Sequence, residues 1–303
     1  MNLAPIVLFV YNRLEHTKQT VETLQKNEFA KESELFIFSD AAKNENTEQK
    51  VNEVREYIKT IDGFKKVTII EREKNWGLAN SIINGVTKIV NEYGKIIVLE
   101  DDLVTSPYFL KFMNEALEFY EGEKKVFTIS GYSDIKIPNN YTGEVYFAHI
   151  STSWGWATWK KEWNTIDWKI DSYMYLLEDK KSYARLLKKV GKPRLDMLIM
   201  QKEGKIDSWA IRRLFSQLTQ EKMTVFPSKS FVRNIGHDGT GVHCGKDSQT
   251  CVVELATIPI SNFLDFYNNE KIKVIAQNEY AMSVEFSSIL SGAVWVLTKT
   301  NMK

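Results

Sequence analysis

Apolar and polar positions along the first 130 residues form short apolar runs separated by amphipathic segments. The runs are typical of strands buried on both faces and cover residues 5–11, 35–38, 67–70 and 95–99. Between them apolar residues recur at helical spacing, which predicts helices over 14–26, 47–61, 77–93 and 107–120. Strand–helix alternation with short connections predicts an α/β fold, with a mostly parallel sheet flanked by helices.

The second half of the chain is less regular. Its pattern predicts strands over 126–130, 145–150 and 224–226 and helices over 182–190 and 209–220, with a tryptophan-rich stretch at 154–168. Neither an internal repeat nor a long linker divides the chain. We therefore expect one domain over residues 1–250, made of the halves 1–125 and 126–250, followed by a C-terminal appendage over 251–303.

Composition narrows the class of protein. The 40 basic and 39 acidic residues give a net charge of +1, which argues against a nucleic-acid partner. Cys244 and Cys251 are too few for a disulfide framework or a zinc finger. The N-terminus has no basic region of the kind that opens a signal peptide, and no run of 18 apolar residues occurs. These features predict a cytoplasmic protein.

Polar residues follow each predicted strand of the first half, at the edge of a parallel sheet where ligands bind. They include Asn12, Arg13, Asp40 and the segment 71–77. No glycine follows the first strand and no Walker A sequence occurs, which excludes the usual glycine-rich cradles for a diphosphate. A diphosphate bound here would need a divalent cation held by carboxylates instead.

Three carboxylates, Glu100, Asp101 and Asp102, follow the fourth apolar run directly. Adjacent anions repel one another, so we expect a cation to bind there, and Mg²⁺ or Mn²⁺ suits oxygen ligands. Successive side chains on extended backbone point to opposite sides, so one or two would hold the metal and another would bind hydroxyl groups. The alternative is a solvated acidic loop without a function.

The segment E-D-D-L at 100–103, followed by S-P-Y-F, resembles the DXD-type segment of GT-A glycosyltransferases, in the E-D-D version of N-acetylglucosaminyltransferase I. Further segments resemble family segments in the same order along residues 4–245. They are the opening strand 5–13, Ser39-Asp40, N-W-G-L-A at 75–79, the tryptophan-rich 153–159, and D-S-W at 207–209, where Ser208 replaces the second aspartate of the family's D-D-W.

The resemblance implies a Rossmann-like GT-A fold and a metal-dependent, inverting transfer of a sugar from a nucleotide sugar, with UDP as the expected nucleotide. The first half would bind the donor and the second half the acceptor, a glycan or a lipid-linked saccharide of surface polysaccharide assembly. The resemblance also implies the roles of single residues. Asp102 would bind the metal, and Asp207 would be the catalytic base. Glu100 and Asp101 would bind ribose and donor sugar, and the nucleotide sugar would also contact Arg13, Asp40, Asn75 and Gly77.

Asp207 also suits base catalysis on chemical grounds, because a partly apolar setting beside Trp209 would raise its pKa. The alternative is that Asp207 or Ser208 caps the helix that follows. His237 and His243 lie in a glycine-rich segment, and the resemblance implies that one of them reaches the metal or the diphosphate. The alternative there is a surface loop with turn residues.

Trp154 and Trp156 are expected to form an apolar wall for the acceptor sugar, with core packing as the alternative. The basic stretch 180–194 is either a solvated helix face or a peripheral contact with anionic lipid. Two other functions remain open from the sequence. One is a nucleotidyltransferase, although the glycine-rich basic loop of that class is absent; the other is a non-catalytic module that binds nucleotides or glycans.

Overall fold

The computed structural model describes residues 1–135, 137, 141–171, 174–239 and 253–264. The predicted strands and helices of the first half are present, with ends shifted by a few residues. A short strand, β5, follows the acidic triplet and was not predicted. The elements are Ile6–Val10 (β1), Leu14–Gln25 (α1), Glu34–Ser39 (β2), Glu45–Ile58 (α2), Lys66–Glu71 (β3), Leu78–Tyr93 (α3), Lys95–Glu100 (β4), Leu103–Thr105 (β5) and Phe109–Phe119 (α4).

The second half contains the predicted elements together with strands and helices that the pattern did not indicate, among them β8, α8 and β10. Its elements are Val126–Ser130 (β6), Val145–Ala148 (β7), Trp156–Trp159 (β8), Lys160–Trp163 (α5), Tyr175–Glu178 (α6), Lys180–Val190 (α7), Lys192–Lys202 (α8), Trp209–Thr219 (α9), Met223–Pro227 (β9) and Val232–Asn234 (β10).

The central sheet has the strand order β3-β2-β1-β4-β8-β6-β9-β7. Strands β3, β2, β1 and β4 are parallel, whereas β8 runs antiparallel to both β4 and β6. The predicted α/β fold with a mostly parallel sheet flanked by helices is confirmed. The carboxyl ends of β1, β2 and β4 lie side by side, so Arg13, Asp40 and the acidic triplet share one edge of the sheet.

Apolar side chains cover both faces of the parallel part, as the continuous apolar runs predict. Leu8 and Leu99 belong to the core on the side of α1 and α4. Val98 belongs to the core on the opposite side, with α3, Trp156 and Trp209. Because strand residues alternate between faces, Glu100 continues the face of Val98.

Residues 253–264, the described part of the predicted appendage, lie against the core of the preceding domain. Ala256 is buried, its N–H donates to the carbonyl of Ser230 (2.7 Å), and its carbonyl accepts from Ser106 Oγ (2.6 Å). The Tyr120 hydroxyl donates to the carbonyl of Leu264 (2.7 Å). The boundary at residue 250 stays a prediction. Within the described ranges, no helix combines the length and apolarity that a membrane crossing requires.

Candidate active site

The segment after β10 lies directly on the acidic triplet. Strand β10 pairs antiparallel with β5, so Asn234 stands opposite Leu103. The N–H of Ile235 then donates to the carbonyl of Asp102 (2.9 Å). The backbone of Gly236 packs so closely that a Cβ there would overlap Asp102 Oδ2 and would lie 2.9 Å from Arg13 Nη1. The pairing therefore brings residues 235–237 to a site more than 130 residues away in the chain.

Arg13 pairs with two carboxylates of the triplet. Its Nη2 donates to Asp101 Oδ1 and to Asp102 Oδ2, the second at 2.8 Å, and all three side chains are less than one-fifth exposed. Burial would lower the pKa of Arg13, but the two carboxylates raise it above its usual range. The protein itself therefore supplies a counter-charge to the triplet, and the expected divalent cation stays a prediction.

Glu100 lies on the other face, near the buried guanidinium of Arg213. Burial, with the charges of Asp102 and Asp101, raises the pKa of Glu100 to about 8. Burial also raises the pKa of Asp101. A pKa near 8 favours the protonated form of Glu100 at neutral pH, and the single charge of Arg13 then balances one of the two remaining carboxylates, Asp101 and Asp102.

Trp156 is a core residue, which corrects the expectation that it lines an acceptor site. Its side chain is 1% exposed and stacks on Trp163 and Trp209, with ring centroids 5.7 and 5.4 Å away. The guanidinium carbon of Arg213 lies 4.2 Å from the Trp156 ring centroid, and Arg213 Nη2 donates to the carbonyl of Thr152 (2.6 Å). Core packing and a cation–π contact account for Trp156.

His237 lies beside Trp154, which is partly exposed. The two ring centroids are 5.5 Å apart, and Trp154 in turn packs edge-on against Tyr132 at 4.5 Å. The Nε2 atom of His237 is buried and has no hydrogen-bond partner among the described residues. His237 directly follows the glycine that rests on Asp102, so its backbone lies beside the acidic triplet while its ring packs against Trp154. His243 lies outside the described residues.

Asp40 organises the loop that precedes α3. Its carboxylate accepts the backbone N–H of Trp76 (2.9 and 3.1 Å), Gly77 (2.9 Å) and Ala41 (3.0 Å). Asn75 Nδ2 donates to the carbonyl of Ala41 (2.7 Å), and Gly77 has a φ of +73° that favours glycine. The predicted residues Asp40, Asn75 and Gly77 thus form one unit at the end of β2.

The sequence placed the segment 71–77 at this edge but did not single out Arg72, which follows β3 by one residue. Its guanidinium carbon lies 3.9 Å from the Trp76 ring centroid, and its Nη2 donates to Asn84 Oδ1 (2.8 Å). Burial lowers the pKa of Arg72 from its usual value. The signal that could have found it is its place at the carboxyl end of a parallel strand, beside the Asp40 loop.

Asp207 precedes α9, and its surroundings differ from those predicted. The side chain is 62% exposed, and Arg212 Nη2 donates to its Oδ1 (2.6 Å). The expected apolar setting beside Trp209 is therefore wrong. Ser208 caps the helix, since its Oγ accepts the N–H of Ile211 (3.3 Å). Asp207 therefore does not cap α9.

The donor atoms at the site are of kinds that a small divalent cation accepts. No group of three or more His, Cys, Asp or Glu residues gathers in a metal-binding arrangement in the described parts of the chain. Asp102 supplies a carboxylate, and His237 supplies a buried nitrogen without a partner among the described residues. Mg²⁺ and Mn²⁺ accept few protein ligands when phosphate oxygens and water fill the other positions.

Comparison with known proteins gives a family match over much of the chain. The profile described as Glycosyl transferase family 2 matches residues 6–168. This range includes Arg13, Asp40, the acidic triplet and Trp154, and it ends before Asp207 and His237. No curated protein sequence matches the chain.

Among solved structures, TarS from S. aureus is 12% identical, with 77% of this chain and 37% of that chain covered and a TM-score of 0.40. Its fragment 1–349 is 15% identical, with coverages of 75% and 59% and a TM-score of 0.41. The mannosyltransferase PcManGT from Pyrobaculum calidifontis, in complex with GDP-Man and Mn²⁺, is 13% identical, with coverages of 58% and 48% and a TM-score of 0.35. This chain spans less than two thirds of each of them.

Proposed function

Because the chain belongs to glycosyl transferase family 2 and is a glycosyltransferase, we propose that it transfers a sugar from a UDP-sugar to a hydroxyl group, with inversion and with Mn²⁺ or Mg²⁺ as cofactor. The acceptor is a glycan or a lipid-linked saccharide of surface polysaccharide assembly, met at the cytoplasmic face of the membrane. In this proposal residues 1–250 are the catalytic domain, with the donor bound by 1–125 and the acceptor by 126–250.

One observation carries the metal part of the proposal. The β5–β10 ladder holds the segment 235–237 on the carboxylate of Asp102, and His237 there has a buried Nε2 that lacks a partner in the described part of the chain. A buried polar atom without a partner costs free energy, so it supports a ligand at that position. Asp102 and His237 would hold the cation, which stabilises charge on the leaving diphosphate when bound.

The remaining site residues bind and orient the donor. Arg13 holds the carboxylates of Asp101 and Asp102 at the end of β4. The loop that Asp40 and Asn75 fix at Gly77 presents the N-terminus of α3, which favours an anionic group. Glu100 and Asp101 bind ribose and sugar hydroxyls, and Trp154 offers an aromatic face to the acceptor.

Transfer then requires one proton acceptor. The acceptor hydroxyl attacks the anomeric carbon, the bond from that carbon to the diphosphate oxygen breaks, and the proton of the hydroxyl passes to the Asp207 carboxylate. Asp207 is exposed and shares a hydrogen bond with Arg212. Asp207 can act as the base only if its hydrogen bond with Arg212 leaves one carboxylate oxygen open to the acceptor hydroxyl.

The proposal is tested by incubating the full chain with a panel of nucleotide sugars, saccharide acceptors and Mn²⁺, and by identifying the products by mass spectrometry. We expect a glycosylated acceptor and free UDP. The anomeric configuration of the product, read by NMR, should be opposite to that of the donor. Release of pyrophosphate, or binding without turnover across the panel, would contradict the proposal.

A further inference from the structure

Helices α7 and α8 form a strongly basic segment in an otherwise acidic chain. Residues 180–202 contain eight Lys and Arg against the single acidic residue Asp196, a net charge of +7. The whole chain has a net charge of +1, so the other residues sum to −6. This separation of charge gives one part of the molecule a positive potential that its overall balance hides.

The inner faces of these helices are buried, which fixes the direction of their outer faces. Leu186 and Val190 of α7 and Leu195 and Leu198 of α8 pack in one apolar cluster with residues of α9. A single residue, Gly191, joins α7 to α8. The opposite face of each helix is therefore turned away from the core.

The outer face of α7 combines lysines with an apolar side chain. Lys180 and Leu187 lie two turns apart on one side of the helix, Lys181 and Lys188 lie two turns apart beside them, and all four are exposed. Leu187 is 38% exposed. Lysine stems reach past such an apolar patch and leave their ammonium groups at its rim.

Helix α8 adds exposed apolar side chains, and Met197 and Ile199 are 39% and 36% exposed. Residues two apart in a helix point about 160° away from each other, so Met197 lies opposite the buried Leu195 and Leu198 whereas Ile199 lies at the flank of α8. Tyr175 of α6 is 61% exposed.

The one acidic residue of the segment is neutralised, since Lys192 Nζ lies 2.6 Å from Asp196 Oδ2. Arg185 is likewise paired with Glu221 and Lys202 with Asp171, so the lysines of α7 supply the positive charge of this surface. Exposed apolar side chains beside such lysines are the composition that binds a lipid interface.

We propose that the outer faces of α6, α7 and α8 form a docking surface for an anionic lipid bilayer. Lysines of α7 meet the lipid headgroups, while Leu187, Met197 and Tyr175 enter the interface. Charge complementarity favours this occupant, because residues 175–202, which form the surface, have a net charge of +5 and a second copy of the chain would bring +5 against +5. The proposal concerns binding to a bilayer and does not depend on sugar transfer.

The test is flotation of the full chain with vesicles of phosphatidylcholine alone, or with one quarter phosphatidylglycerol, at 50 and 500 mM NaCl. We expect binding to the anionic vesicles that falls at high salt, since salt screens exposed charges. Binding to neutral vesicles should be weaker by more than about tenfold. Equal binding to both compositions, or no binding to anionic vesicles, would overturn the proposal without bearing on transfer to a soluble acceptor.

Two pairs of variants locate the surface. Reversing the charge of Lys180, Lys181 and Lys188 to Glu should weaken binding by more than about tenfold, whereas the same reversal at Lys26, Lys31 and Lys50 should not. Met197→Asp should weaken binding more than Ile258→Asp, because Ile258 is 62% exposed outside this surface.

Circular dichroism checks that each variant is folded. If the two members of either pair of variants lost vesicle binding equally, the proposal would be overturned. A dimer, seen by analytical ultracentrifugation, that Met197→Asp dissociates would also overturn the proposal.

Discussion

Gly236 lies against the carboxylate of Asp102, with no room for a side chain between them. A Cβ at this position would overlap Asp102 Oδ2 and approach Arg13 Nη1 to 2.9 Å. We expect Gly236→Ala to displace the carboxylate or the His237 segment. The apparent affinity for Mn²⁺ in the presence of UDP should fall by about 10- to 100-fold, the usual effect of disturbing residues around a metal ligand.

Gly122→Ala is the matched control, because no atom lies within 4 Å of the position that its Cβ would take. Isothermal titration of both variants measures the difference. Equal affinities in Gly236→Ala and in the control would show that the contact between Gly236 and Asp102 has no part in binding.

Arg13 is expected to stabilise the fold by pairing with Asp101 and Asp102. Replacing it with Met keeps most of the apolar stem but leaves two largely buried carboxylates unpaired. Loss of one partner of a buried ion pair costs about 3–5 kcal/mol. Urea unfolding at pH 7 should show a loss of this size, and Arg13→Lys should recover part of it. A loss below about 1 kcal/mol would contradict the pairing.

His149 makes the fold sensitive to acid. Burial and the nearby charge of Lys189 lower the pKa of His149 to about 4. Between this value and the ordinary value of 6.5, the unfolded chain binds the proton that the folded protein does not. The free energy of unfolding therefore decreases as the pH falls from 6.5 towards 4, by as much as about 3 kcal/mol from this group.

His149→Gln should remove the part of the decrease in the free energy of unfolding that His149 causes. Urea unfolding of both proteins at several pH values between 4 and 7 measures it. Parallel curves for wild type and variant would show that His149 is not the group responsible.

Asp207→Asn should abolish most of the transfer while leaving donor binding intact. A positioned carboxylate base contributes about 10²- to 10⁴-fold, so kcat should fall by a factor in that range. Asp171→Asn is the matched control, because Asp171 is 67% exposed and paired with Lys202, as Asp207 is with Arg212. Near-normal turnover in Asp207→Asn would remove it from the mechanism.

The first half of the fold could be predicted because its signals are local. Each strand is an apolar run and each helix has an apolar face, and only the ends differ. For example, α2 begins at Glu45, before the predicted start, because Asn44 and Thr47 form a capping box. Strand β8 was not predicted, because its W-A-T-W sequence fits a buried aromatic cluster as well as it fits a strand. Its place between β4 and β6 depends on pairing with distant residues.

Only those parts of the site that lie within one short segment of the chain could be predicted from the sequence. Carboxylates after a buried strand mark the sheet edge, but the pairing of Arg13 with Asp101 joins residues 88 positions apart. The contact of Gly236 with Asp102 depends on the three-residue strand β10, too short to stand out in the sequence. Trp154 and Trp156 look alike in sequence, and only packing separates the partly exposed ring from the buried one.

The most direct test of the central claim is the melting temperature of the full chain with UDP, with and without Mn²⁺. A cation shared by Asp102, His237 and the diphosphate predicts that UDP raises the melting temperature only when Mn²⁺ is present, because ligand binding stabilises the folded state. Asp102→Asn should lose this response, and Asp62→Asn should keep it. Equal stabilisation by UDP without metal, or an unchanged response in Asp102→Asn, would contradict the claim.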